Sequence, residues 1–157
     1  MDTPSQMVNQ TESNPHDTEV WIHRGKVLAG DGSYQEALSN FDQAIRLNPN
    51  NETAWYDRGD ALANLGFYLE ALESFDRAIQ LKPENAAAWV FRGVMLIYLE
   101  RYQEALDSCD RAIAIDDQER EAWIFRGAAL QRLGQFKQAY ASYERASYLD
   151  NQSIQET

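Results

Sequence analysis

The chain has 157 residues, enough for one domain or at most two very small ones. With 44% hydrophobic and 25% charged residues it is neither a disordered nor a collagen-like chain, and its single cysteine, Cys109, rules out an intrachain disulfide. A net charge of −11, from 14 basic against 25 acidic residues, argues against nucleic acid as a partner, because neutralising phosphates needs a surplus of Lys and Arg.

Residues 1–17 are rich in Pro, Ser, Asn and Gln and hold no Lys or Arg, which predicts a flexible polar leader. They contain no apolar stretch of the kind a secretory signal needs. No later run approaches the roughly 20 apolar residues of a membrane-spanning helix. A cytoplasmic chain without a membrane partner is therefore expected. The two histidines are His16 and His23, and no Cys/His cluster has zinc-ligand spacing, so neither a metal nor a cofactor is expected.

From residue 18 onward the sequence repeats. All four tryptophans, Trp21, Trp55, Trp89 and Trp123, stand 34 residues apart. The same period carries Gly25, Gly59, Gly93 and Gly127, then Leu28, Leu62, Leu96 and Leu130, then Ala37, Ala71, Ala105 and Ala139, then Ala44, Ala78, Ala112 and Ala146. An aromatic recurs as Tyr34, Tyr68, Tyr102 and Phe136. Trp, Gly and Leu lie at about 0°, 40° and 340° on a helical wheel, one face of a first helix. Asp17, Asn51 and Asn85 are suited to cap the first helices. A turn marked by Gly32, Gly66 and Gly134 leads to a second helix on which Ala71, Phe75 and Ala78 repeat the spacing. Pro49 and Pro83 end the second helices, because proline removes a donor and restricts the residue before it. Each unit is a helical hairpin, and its small residues let the two helices approach closely.

These residues resemble the tetratricopeptide repeat family, whose 34-residue pattern is W-x2-L-G-x2-Y…A-x3-F…P. Residues 18–51 match at Trp21, Gly25, Ala37, Phe41 and Pro49, and residues 52–85 at Trp55, Gly59, Ala71, Phe75 and Pro83. Residues 86–119 carry Cys109 for Phe and Asp117 for Pro; residues 120–153 carry Tyr143 and Asn151 there. The wording of the repeats is similar to bacterial, especially cyanobacterial, members. The resemblance implies an all-α, right-handed α-solenoid of four helix-turn-helix repeats over 18–153, followed by a short tail, 154–157. It also implies that the first helices line a concave groove where protein or peptide partners bind.

Two departures are regular. Arg24, Arg58, Arg92 and Arg126 replace the family's Leu before the Gly, and Leu replaces its Tyr three residues after it. Each second helix carries an acid at one register, Asp42, Asp76, Asp110 and Glu144. Repeated Arg with repeated carboxylate predicts ion pairs between helices, either within a repeat or between repeats.

The wheel face opposite Trp, Gly and Leu should line the groove. It presents His23 and Lys26 in the first repeat, Asp57, Asp60 and Asn64 in the second, Phe91, Val94 and Tyr98 in the third, and Phe125 and Arg132 in the fourth, with Tyr56 at the edge. Large apolar residues there imply a patch that something covers, unless neighbouring first helices bury them against each other. Beside Asp57 and Asp60, this lining suits a partner with an apolar anchor and a basic residue. It lacks the cations that family members use to clamp carboxylate-rich chaperone tails, and it lacks an RNA-binding Lys/Arg stripe. No phosphate loop or catalytic triad spacing occurs, and Asp116/Asp117 read as helix-junction caps, so no enzymatic activity is expected. Cys109 sits at the buried aromatic register and reads as an inert core residue.

In the last second helix, Leu38, Leu72 and Leu106 become Tyr140, and Ile45, Ile79 and Ile113 become Ser147. The change softens the end of the array like a built-in cap, while Tyr140 and Tyr143 could support a homo-oligomer through that end. A self-assembling structural module, or an assembly or chaperone-like adaptor, is the alternative to a groove-binding scaffold.

Overall fold

The computed structural model describes residues 17–155 and contains eight helices among them. They are α1 (Thr18–Gly30), α2 (Tyr34–Leu47), α3 (Glu52–Asn64), α4 (Tyr68–Leu81), α5 (Ala86–Tyr98), α6 (Tyr102–Ile115), α7 (Arg120–Arg132) and α8 (Phe136–Gln155). Consecutive helices pack as hairpins, and each second helix also packs on the next first helix. First helices further approach one another, α1 against α3 and α5 against α7, which places them on the inner side of the curved stack. Apart from Asp17, the expected leader lies outside the described residues. Among the described residues, no helix is long and apolar enough to cross a membrane.

The caps follow the sequence. Asp17 accepts from Glu19 N at 3.0 Å, Asn51 from Ala54 N at 3.0 Å and Asn85 from Ala88 N at 3.2 Å. The fourth junction differs from expectation. Glu119 occupies the N-cap of α7 without a side-chain cap bond, and Asp116 instead accepts from Gln118 N at 2.9 Å to close the turn after α6. Each hairpin turn ends on the carbonyl of the repeated Leu, as in Phe67 N to Leu62 O at 2.9 Å. That turn needs a positive φ, supplied by Gly32, Gly66 and Gly134 at 80°, 83° and 76°; in the third repeat Glu100 takes the position at φ 60°. A side chain is strained there.

The repeated glycines are contact points. A Cβ on Gly59 would stand 2.9 Å from the Phe75 ring and one on Gly127 2.6 Å from the Tyr143 ring, whereas on Gly93 it would meet Cys109 Sγ at 3.0 Å. Both rows of repeated alanines are buried, from Ala37 to Ala146. The indoles of Trp55, Trp89 and Trp123 donate to Pro49 O, Pro83 O and Asp117 O at 2.8, 2.8 and 2.9 Å, tying each first helix to the preceding inter-repeat loop. Where proline is replaced by Asn151, α8 does not stop. It runs to Gln155, past residue 153, whereas α6, which has Asp117 at the same register, stops at Ile115, so the missing proline permits the extension without requiring it.

The repeated arginines join neighbouring repeats. Arg58 Nε donates to Asp42 at 2.7 Å, Arg92 to Asp76 at 2.6 Å and Arg126 to Asp110 at 2.7 Å. The same guanidiniums donate through Nη1 to Ser74, Ser108 and Ser142 in their own repeats. Each lies over the Trp of its own helix, with the guanidinium carbon 5.3 to 6.0 Å from the ring centre, Arg24 over Trp21 included. A fork held by a ring and two acceptors is a spine of the stack, so the Arg series is structural.

Candidate partner-binding groove

Two adjoining cavities open along the first helices. One, of about 340 Å³, lies between the first and second repeats and is lined by Lys26, Tyr34, Phe41, Asp57 and Asp60. The other, of about 260 Å³, is lined by Asp60, Asn64, Tyr68, Phe91, Val94 and Tyr98. Asp60 belongs to both.

The first cavity is electrostatically unusual. Asp57 has a side chain only 16% exposed, and its Oδ2 is buried without a hydrogen-bond partner; Lys26 Nζ stands 3.6 Å away. Burial pushes its carboxyl up to about 6, Lys26 pulls it back down, and Asp60 and Glu52 raise it further. Burial also raises Asp60 above the usual carboxylate range. Tyr56 is pushed up to about 12, mainly by burial and then by Asp60 and Asp57. Lys26 is the one cation in this lining, set against two carboxylates, and it stands beyond hydrogen-bond distance of Asp57 Oδ2.

The second cavity is aromatic. Tyr98 is 58% exposed and stacks on Tyr68, with ring centres 4.4 Å apart and planes within 8°. Phe91 is different. It stacks on fully buried Phe75 at 5.7 Å and meets Tyr56 edge-on at 5.9 Å. Tyr56 itself is edge-on to Phe75. Phe91 therefore gives one face to the groove and the other to the seam between repeats.

Tetratricopeptide repeat models match residues 23–80, 56–120 and 121–153. The chain belongs to the tetratricopeptide repeat family. Solved structures agree on the fold. A crystal structure of MamA superposes with a TM-score of 0.85 at 19% identity, covering 92% of this chain and 84% of that one. The 41-end segment of MamA from Desulfovibrio magneticus RS-1 gives 0.82 at 25% identity over 87% and 77%. YrrB, described as a tetratricopeptide repeat protein with an unusual peptide-binding site, gives 0.79 at 26% identity over 89% and 72%. No curated protein matches the sequence significantly.

Within this tetratricopeptide array, the structure gathers Lys26, Asp57, Asp60, Asn64, Phe91, Val94 and Tyr98 around the two cavities, with Tyr56 behind them. It does not bring the other candidates there. His23 lines separate hollows on the outer face of α1, with Arg24. Phe125 is half-buried against the cluster of Val90, Ala112 and Ala122. Arg132 lies over the Tyr102 ring at 5.6 Å and donates to its hydroxyl at 3.4 Å. Tyr34 and Tyr68 are wall residues that the wheel of the first helix could not supply, although their recurrence every 34 residues was visible. Cys109 is buried, and burial pushes its thiol up to about 12, which fits an inert core residue.

Proposed function

We propose that the chain is a non-enzymatic protein-interaction scaffold whose inner groove takes a peptide or helix carrying a basic residue beside an apolar one. The observation that carries this reading is the shared Asp60. It joins a cavity with a donor-starved carboxylate to a cavity floored by exposed aromatic surface. A guanidinium or ammonium would supply Asp57 with the hydrogen bond its Oδ2 lacks and a counter-charge for Asp60, and a Leu or aromatic side chain would cover the Tyr68–Tyr98 stack. The peptide-binding site of YrrB, a tetratricopeptide repeat protein of the same fold, supports looking for a peptide here.

The test is selection from a randomised ten-residue peptide library, followed by fluorescence anisotropy on the peptides recovered. Basic and apolar residues should be enriched together, and Asp60→Asn and Tyr98→Ala should each weaken binding about tenfold, roughly 1.4 kcal/mol, with an unchanged circular dichroism spectrum. Acidic selected peptides, or affinities indifferent to both substitutions, would reject the reading. Phe91 is unsuited to this test because its truncation also opens the repeat seam.

A further inference from the structure

Interior second helices turn one face to the next repeat, and α8 turns the same face to solvent. On α4 that face is Leu72, Asp76 and Ile79, with both apolar side chains buried and Asp76 paired to Arg92. The same register on α8 gives Tyr140, Glu144 and Ser147, and Tyr140 is 65% exposed. Two flanking positions on this face change as well. Lys137 stands where the earlier repeats have Gln35, Leu69 and Gln103, and Ala141 where they have Ser39, Glu73 and Asp107. Lys137, Ala141 and Glu144 are all exposed.

Lys137, Tyr140, Ala141 and Glu144 follow the i, i+3, i+4, i+7 spacing of one helix stripe. Read along α8, the stripe is a cation, a ring, a small side chain and an anion. Read in the opposite direction it is its own complement: cation meets anion, and ring meets small side chain. Among the described residues neither Lys137 nor Glu144 makes an ion pair. Glu144 accepts a hydrogen bond from the Tyr140 hydroxyl, so ring and carboxylate project from one surface. Tyr143, the other aromatic residue here, stays with its own hairpin. Its ring covers Gly127 and its hydroxyl donates to Gln131 at 3.1 Å.

We propose that two copies of the chain pair through α8, antiparallel about a two-fold axis between Tyr140 and Ala141. Lys137 of each copy then pairs with Glu144 of the other, and each Tyr140 ring sits over the other's Ala141. The occupant is a second copy of this chain, because the complementarity lies in the charge order of the stripe itself. A parallel pair would set Lys137 against Lys137 and Glu144 against Glu144, and an antiparallel pair centred on Glu144 would bring two carboxylates together. The contact uses the same patch on both copies, so it closes at two. It is one helix stripe wide, which places it among small, weak interfaces. It leaves the inner groove open and does not depend on what binds there.

Sedimentation velocity of the full chain from about 10 µM to 1 mM in about 0.15 M salt, where the mutual repulsion of acidic chains is screened, reads the outcome. The wild-type mass should rise with concentration and level off at two copies. Lys137→Glu alone and Glu144→Lys alone should each weaken pairing about tenfold or more, because symmetry makes each change act on both ion pairs. The chain carrying both changes keeps the complementary order and should pair as the wild type does. Tyr140→Ala, at an exposed position, should weaken pairing with the helical spectrum intact. A wild-type chain that stays a monomer throughout, or that grows past two copies, overturns the proposal. So does pairing that is indifferent to the single reversals or not restored by the double exchange.

Discussion

Asp57 offers a direct measure of the strain in the groove. Its carboxyl is pushed from 3.8 to about 6, chiefly by burial, and its buried Oδ2 has only the Lys26 ammonium near it, at 3.6 Å. Because the folded value lies above the unfolded one, the penalty is absent well below pH 4, grows between about pH 4 and pH 6, and is constant beyond. Two units at about 1.4 kcal/mol each set an upper limit of about 3 kcal/mol. That value already contains the opposing pull of Lys26, and residual access of water reduces the expected effect to about 1–2 kcal/mol. Asp57→Asn removes the charge at constant shape. It should stabilise the protein by that amount at pH 8, by most of it at pH 6, by about half near pH 5, and by almost nothing at pH 3. Urea unfolding followed by circular dichroism, with variant minus wild type taken at each pH, reads this group with its charged neighbours, because titrations elsewhere in the chain cancel. A difference that does not change with pH would refute the buried-carboxylate account. A loss of stability at pH 8 would show that the Lys26 pair outweighs desolvation.

Three further outcomes follow from packing and backbone geometry. Gly59→Ala should cost about 1–2 kcal/mol net, the clash with the enclosed Phe75 ring exceeding the gain in helix propensity of about 1 kcal/mol, whereas Gly93→Ala, whose tightest contact is the Cys109 sulfur at 3.0 Å with Ala105 O and Ser108 Cβ at 3.4 and 3.5 Å, should cost less; thermal midpoints that fall equally would count against the ring as the cause. Glu100→Gly relieves the positive φ and should raise stability by about 1 kcal/mol, about 2–4 °C in midpoint, with no rise if the third turn adopts another conformation in solution. Cys109 should resist alkylation by a soluble maleimide under native conditions and react fully in urea, and rapid native labelling would contradict its burial.

The period of 34 made the helices legible, because each repeated residue type answers a constraint that recurs: a capping Asn, a Gly beneath a ring, a Pro after a helix. The ladder was half legible. The Arg and Asp series stand out in the sequence, but spacing along one chain does not distinguish a partner in the same hairpin from one in the preceding hairpin. The structure places it in the preceding one, and the matching serines Ser74, Ser108 and Ser142 carried a signal that Asn40 interrupts. The groove was least legible. A wheel describes one helix, so it puts Phe91 and Asp57 on the same open face. Neighbouring helices decide otherwise: Tyr56 and Phe75 close on Phe91, and the first two repeats close on Asp57.

Each first helix has three rows to dispose of, and the rows explain where specificity can reside. Trp55, Gly59 and Leu62 serve the helix's own hairpin, and Ala54, Arg58 and Ala61 serve the preceding repeat. Both rows recur nearly unchanged because both contacts recur. Only the third row is released from the repeat, and its chemistry changes abruptly from Asp57, Asp60 and Asn64 in α3 to Phe91, Val94 and Tyr98 in α5. Packing alone would favour the second solution in both places. A half-satisfied buried carboxylate is a poor seam residue, and an apolar side chain at Asp57 would serve stability better. Under the proposed function the acidic row answers to what it meets from outside, and the boundary between the second and third repeats, where Asp60 faces both cavities, is where a bound peptide would be read for charge on one side and for apolar bulk on the other.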